Sequence, residues 1–221
     1  MSISDWFPIY LTLKVSLTAT TLTVVIGLGI AWVLAKKRFW GKNLLDALLM
    51  QPLVIPPTVL GYYLLVTFGR GAWLGRFLEE NLGLTLIFTW RGAVLAALAT
   101  SLPLFIKPAR AAMEGVDLHL ENAARLLGRS ELGVFRAITL PLAWRGVLAG
   151  VMMAFARSMG DFGATLMVAG NIPGRTQTVS IAIYDAMQAG DVGVANTLVV
   201  IMTVFSISVL LLVSWLTAGR Y

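Results

Sequence analysis

Cysteine is absent from the 221 residues, so the chain has neither a disulfide framework nor a thiolate metal centre. Histidine occurs once, at His119, which excludes a bis-histidine haem site and argues against a histidine-rich metal site. Charge is scarce as well. Only 13% of residues are charged against 58% hydrophobic, and the mean hydropathy is +0.82. A water-soluble globule needs more charge on its surface, so the composition points to a polytopic membrane protein. No phosphate-binding loop is present either. Such a loop needs G-x-x-x-x-G-K-[ST] to wrap phosphates in backbone amides. The one Gly-Lys pair, Gly41-Lys42, has neither the upstream glycine nor the following hydroxyl. Any ATP is therefore expected to be hydrolysed by a partner, and no cofactor is expected on this chain. There is no convincing internal repeat, which weighs against an inverted-repeat secondary transporter. Low-complexity linkers are lacking too, and residues 1–221 are expected to form one transmembrane domain.

What the sequence has in abundance is apolar runs. Crossing about 30 Å of hydrocarbon takes roughly 20 mostly apolar residues. Five segments qualify: Ile9–Ala35, Leu44–Phe68, Gly92–Ile106, Val147–Ala169 and Val194–Thr217. The third is short and borrows from Phe88–Arg91. The first lacks a strongly basic start and a cleavage site, and reads as a retained helix. Between these runs, Arg70–Trp90 carries glycines and aromatics suited to the membrane interface. Asn171–Gly193 contains a moderately apolar stretch, Val179–Met187, that suits a short re-entrant or surface helix.

The net charge of +6 is compatible with nucleic acid, but in a membrane protein it reflects basic residues held at one surface. Eleven fall on one side: Lys36, Lys37, Arg38, Lys42, Lys107, Arg110, Arg125, Arg129, Arg136, Arg145 and Arg220. Five fall on the other (Lys14, Arg70, Arg76, Arg91 and Arg175), and Arg157 stays within a span. The positive-inside rule places the richer side in the cytoplasm, the N-terminus outside and the C-terminus inside. No nucleic-acid partner is expected.

A polar island interrupts the apolar pattern between the third and fourth spans. Pro108 is suited to open a helix, and Met113, Val116, Leu120, Ala123, Ala124 and Leu127 recur at near-helical spacing. Gly128 sits where a helix end needs a left-handed residue. Ser130 can cap a second helix with Glu131 in its first turn, and Pro141 closes the unit. The expectation is a helical elbow over about 108–141 on the cytoplasmic side. Periodicity alone is equally consistent with amphipathic helices that simply cover the bilayer surface.

Within the membrane, Arg157 lies ten residues into the fourth span, about 15 Å from its start, with Asp161 four residues on. Intramembrane charges cost roughly 2.5–3.5 kcal/mol each on insertion scales and should face protein or water. One reading is a structural ion pair; the other puts Arg157, Ser158, Asp161 and Thr165 along an anion pathway. Pro52, Pro56 and Pro57 interrupt the second span, since an internal proline removes a hydrogen bond and kinks the helix. That bend reads as part of a gate or as static.

Glu121, Ala123, Ala124, Gly128, Ile138, Leu140 and Pro141 fit the spacing E-x-A-A-x3-G-x9-I-x-L-P. With this signature the chain resembles the permeases of binding-protein-dependent ABC importers over nearly its whole length. Among them it looks most like the molybdate type, through Leu53–Tyr62, Trp90–Ala97, Glu114–Asp117, Ala154–Thr165 and Asn171–Gly174. Sulfate/thiosulfate permeases are the nearest competitor, and tungstate is a third oxyanion in the same class. Asp161 stands where many relatives carry glutamate. The resemblance implies an all-α membrane domain of the type I importer core, with five transmembrane helices. It also implies that the seven elbow residues couple the chain to an ATPase that uses ATP and Mg. The implied assembly has two copies of this chain, two cytoplasmic ATPase subunits and an extracytoplasmic oxyanion-binding protein, seated in the lipid of the bacterial inner membrane. An ATP-independent secondary transporter or channel, or a membrane enzyme, is the weaker alternative. His119 and Asp161 are too far apart in the chain's layout to form a catalytic pair.

Overall fold

A computed structural model describes residues 3–217. Arg220, counted above with the basic side, lies outside the described residues. The described residues form eleven α-helices with short irregular joints. Helix α1 (Ile3–Lys36), α5 (Trp90–Glu114) and α8 (Leu140–Met159) make the central packing unit. At 1.5 Å per residue, α1 is about 51 Å long and α5 about 37 Å, each enough to span hydrocarbon.

The register between these helices follows from their closest approaches. The Thr23 and Ser101 hydroxyls meet at 3.0 Å, and Gly27 lies against Phe105, so α1 and α5 run parallel. Gly146 lies against Pro108 and Ala112, and Gly150 against Phe105, so α8 runs antiparallel to α5. A Cβ on Gly150 would stand 2.8 Å from the Phe105 carbonyl oxygen. The Gly146-x-x-x-Gly150 pair is thus a close-packing face, and small residues there let the backbones approach. Ala31, Leu34, Phe105, Ile106, Ala109 and Ala154 fill the core between the three helices toward the basic end. Leu11, Val15, Ala19, Ala93 and Ala97 fill it toward the other.

Four helical stretches among the described residues are long and apolar enough to cross a membrane. They are Trp6–Lys36, Trp90–Glu114, Glu131–Met159 and Val192–Val209, the last within α11 (Val192–Thr217). A fifth crossing is made only if a bent pair counts as one. That pair is Lys42–Leu53, comprising α2 (Lys42–Met50) and a 3-10 turn, with α3 (Pro57–Phe68), bent by 112°. The prolines therefore do more than kink the second span: they divide it. Pro56 and Pro57 have no amide hydrogen to continue the ladder, and Pro57 is instead the first residue of α3.

The fourth span also differs from expectation. It begins earlier, because α7 (Glu131–Val134), a π turn (Phe135–Thr139) and α8 are continuous. It also ends earlier, at Met159, and after a three-residue break (Gly160–Phe162) α9 (Gly163–Ala169) continues separately. Arg157 and Asp161 thus flank a helix end and not a helix middle. The π turn has a local cause. Pro141 cannot donate to the carbonyl four residues back, and the Leu140 amide reaches five residues back to Phe135 O.

Pro108 does not open the elbow; it lies inside α5, which runs on to Glu114. The amphipathic segment before α11 is α10 (Val179–Gln188), whose Val179 amide donates to Thr12 Oγ1 of α1 at 2.9 Å. The glycine-rich loop holds α4 (Trp73–Leu82).

Candidate functional site: a basic-end elbow and two facing helix breaks

The elbow is built by local capping. Asp117 accepts a hydrogen bond from the His119 amide (2.8 Å) and starts α6 (Leu118–Leu126). Gly128 (φ 82) ends it, with the Gly128 amide on Arg125 O (2.9 Å) and the Arg129 amide on Ala124 O (3.1 Å). This is the paired C-terminal closure that a left-handed glycine permits. Ser130 then accepts from the Gly133 amide at 3.2 Å and starts α7.

The apolar stripe expected from Met113 to Leu127 is split. Met113 and Val116 belong to the core, whereas Leu126 and Leu127 are 89% and 86% exposed. Leu118, Leu120 and Leu132 are exposed as well. Of the seven signature residues, Ala123, Gly128 and Pro141 are exposed, and Ala124, Ile138 and Leu140 are half-buried. Glu121 is only 1% exposed. Its Oε1 meets Lys36 Nζ of α1 at 2.9 Å and accepts a 2.6 Å hydrogen bond from Thr139 Oγ1. Arg125 stands 3.8 Å from the other oxygen and donates to Glu131 (2.7 Å) and Asn122 (2.8 Å). The Glu131 hydrogen bond raises the Arg125 pKa further above its ordinary value. Lys36, Arg125 and Thr139 were not singled out from the sequence; the one signal was the cluster of basic residues at the end of the first span.

Toward mid-membrane, the two helix breaks face each other. The position of a Cβ on Gly163 lies 3.2 Å from Pro57 Cβ and 3.4 Å from Thr58. Gly61 packs against Ala164 and Met167, so α3 and α9 run side by side away from the breaks. Asp161 is buried and holds the start of α9: its Oδ2 accepts from the Thr165 amide (3.0 Å) and Thr165 Oγ1 (2.6 Å). Its Oδ1 faces Arg157 Nη2 at 3.3 Å, and the Arg157 side chain is 29% exposed. Ser158 is buried, and its hydroxyl has no hydrogen-bond partner among the described residues. The structure therefore brings Arg157, Asp161, Thr165 and Pro57 to one place, with Ser158 and Pro56 adjacent along the chain. By the α5–α8 register, Ser158 lies near the level of Ala97, about a third of the way along α5 from Trp90. Phe162 of the break meets Tyr184 of α10 with the ring centroids 5.0 Å apart and the planes tilted by 53°.

At the end opposite the elbow, a cavity of about 660 Å³ lies between α3, α4 and the Leu84–Thr89 segment, with Arg70, Glu79 and Arg175 in its wall. A smaller one of about 190 Å³ beside it shares Arg175 and adds Arg91. Arg70 pairs with Glu79 at 3.0 Å. Phe88, between the two cavities, holds a left-handed backbone (φ 57), with its amide on Val168 O at 2.9 Å.

Long apolar helices, two helix breaks that face each other and a capped elbow with exposed leucines define a multi-pass membrane protein. Comparison with known proteins gives its family. Residues 24–219 match the binding-protein-dependent transport system inner membrane component family, and the chain belongs to it. It is similar to the molybdenum transport system permease protein ModB of Escherichia coli K12, with 45% identity over 96% of this chain and 93% of that protein. It is also similar to the sulfate transport system permease protein CysT of Salmonella typhimurium, with 33% identity over 90% of this chain and 72% of that protein. Among solved structures, a chain of the MetNI methionine ABC transporter in inward-facing conformations superposes with a TM-score of 0.75 at 17% identity, covering 99% of both chains. At that identity the likeness concerns the fold. The chain is thus a multi-pass permease of an inner-membrane transporter, in a family whose ATPase is a separate subunit.

Proposed function

We propose that this chain is the permease of an ATP-driven importer that carries molybdate across the inner membrane. The observation that carries this is the 45% identity to a molybdenum permease over nearly the full length of both proteins. In the working assembly, residues 1–221 form one transmembrane domain, and two copies meet in the lipid bilayer. Each copy takes one cytoplasmic ATPase subunit, and an oxyanion-binding protein delivers substrate to the outer mouth. The elbow faces the cytoplasm, the N-terminus lies outside and the C-terminus inside, in keeping with the basic residues at the elbow end.

Leu126 and Leu127, with Ala123, Ala124, Gly128 and the Ile138–Pro141 segment, form the ATPase-coupling surface: two bare leucines at a tight bend suit insertion into a groove on a partner. ATP and Mg are used by that partner. Arg157 faces the pathway with Pro56 and Pro57 opposite, and the buried Ser158, Asp161 and Thr165 form the wall behind it. Half-helices that meet at mid-membrane suit a site that must bind weakly and release. Arg70, Arg91 and Arg175 give the outer mouth the sign that an oxyanion needs. ATP binding draws the ATPase pair together and turns the permeases outward; hydrolysis resets them.

The test is uptake of labelled molybdate by cells that carry this permease with its ATPase and binding protein, with and without excess sulfate. Uptake that resists sulfate and stops with an inactive ATPase supports the proposal. The 33% identity to a sulfate permease favours a second reading, and uptake abolished by sulfate would move the assignment there. Uptake that persists without ATPase activity would refute both.

A further inference from the structure

Glu121 heads the elbow signature, yet it cannot be part of a surface offered to another protein while its carboxylate is 1% exposed. Its partners come from three elements. Lys36 Nζ, on a side chain only 8% exposed, lies in the last turn of α1 at 2.9 Å. Thr139 Oγ1, at 2.6 Å, lies in the π turn that leads into α8. Arg125 of α6 itself stands at 3.8 Å and continues to Glu131 of α7. No residue of α6 belongs to the apolar clusters that hold the rest of the fold together. The leucines of α6 point away from the chain. The helix is therefore held down by polar contacts, with one buried carboxylate at their centre.

We infer that Glu121 is a positioning residue inside the permease: it pins α6 to the ends of α1 and α8, so that displacement of the elbow by its partner is carried into both membrane helices. This rests on the reading of the elbow as the ATPase contact, and it divides that elbow into two parts. The leucine face binds, and the Glu121–Lys36–Thr139 cluster transmits. A buried pair suits transmission because leaving either charge unpaired is costly, so the three elements move together or not at all.

The test compares Glu121→Gln, Lys36→Met, the double variant of the two and Leu127→Asp, each co-expressed with the ATPase subunit and reconstituted in proteoliposomes. Retention of the ATPase subunit on purification is measured first. ATP hydrolysis stimulated by molybdate-loaded binding protein is measured second. Leu127→Asp is expected to lose the ATPase subunit. Glu121→Gln and Lys36→Met are expected to keep it and to lose stimulation by about five- to a hundredfold, the range of ordinary coupling energies. The double variant should fall no further than either single one, because both remove the same link. The exchanged pair Lys36→Glu/Glu121→Lys should recover part of the stimulation. Release of the ATPase subunit by Glu121→Gln, or additive losses in the double variant, would overturn the inference. Retention of the subunit by Leu127→Asp with unaltered stimulation would instead refute the docking reading beneath it.

Discussion

Replacing Asp161 by asparagine separates two jobs that one carboxylate performs. The side chain starts α9 by accepting from the Thr165 amide and hydroxyl on Oδ2, and it neutralises Arg157 through Oδ1. Asparagine keeps an acceptor oxygen for Thr165 and loses only the charge. Removing one partner of a buried ion pair costs about 3–5 kcal/mol. Because the Arg157 side chain keeps 29% exposure, the lower end applies, about 3 kcal/mol. Asp161→Ala also loses both Thr165 hydrogen bonds, worth about 1 kcal/mol each, for a total of about 5 kcal/mol. Arg157→Met/Asp161→Asn leaves no unpaired charge, and exchange of a buried pair for neutral groups is often close to neutral, so its cost should be about 1 kcal/mol or less. Equilibrium unfolding in mixed detergent micelles gives all three values. The expected order places the double variant above Asp161→Asn, and Asp161→Asn above Asp161→Ala, with about 2 kcal/mol between neighbours in that order. If Asp161→Asn costs no more than the double variant, the pair contributes nothing to holding the break and the reasoning is wrong.

Two further outcomes follow from glycine positions. Gly150→Ala would set its Cβ 2.8 Å from the Phe105 carbonyl oxygen, while Gly29→Ala in α1 meets nothing within 4 Å; thermal unfolding should rank Gly150→Ala below Gly29→Ala by about 1–3 kcal/mol, and equal midpoints would count against the α5–α8 register. Gly128→Ala must hold φ 82 with a side chain, at a cost of about 1–2 kcal/mol. Faster proteolysis within Arg125–Ser130 than in the parent protein should report it.

Hydropathy located the first and fifth spans and the start of the third to within a few residues, because a long apolar run has few alternatives to a membrane helix, but it stopped the third at Ile106 where α5 runs on to Glu114. It could not see the breaks. Leu44–Phe68 and Val147–Ala169 are apolar enough on average to read as single spans, and a hydropathy window does not register where the backbone stops being helical. In the second span three prolines signalled a bend but not its 112° angle. In the fourth no proline marks Gly160–Phe162; the signal was Asp161, four residues before Thr165, which is a capping arrangement that resembles an i,i+4 ion pair in sequence. Glu121 was hidden for a related reason. Periodicity assigns charged residues to the wet side of an amphipathic helix, and only tertiary structure brings Lys36, 85 positions earlier, close enough to bury it. Pro108 was misjudged because proline suits a first turn, whereas α5 accommodates two prolines in its interior. The caps at Gly128 and Ser130, being local chemistry, were readable.

Helix α9 has seven residues, too few to persist alone or to cross a bilayer on its own. What steadies it is α3, through Gly61 against Ala164 and Met167, and α5, through Gly92 against Val168. Both platforms are made before it when the chain is synthesised from its N-terminus. The half-span that completes the putting-together of the central break can therefore be added last, onto a surface already waiting, and the order of the chain becomes an order of assembly. Moving α9 ahead of α3 by circular permutation would strand a short apolar segment in the insertion machinery with nothing to lean on.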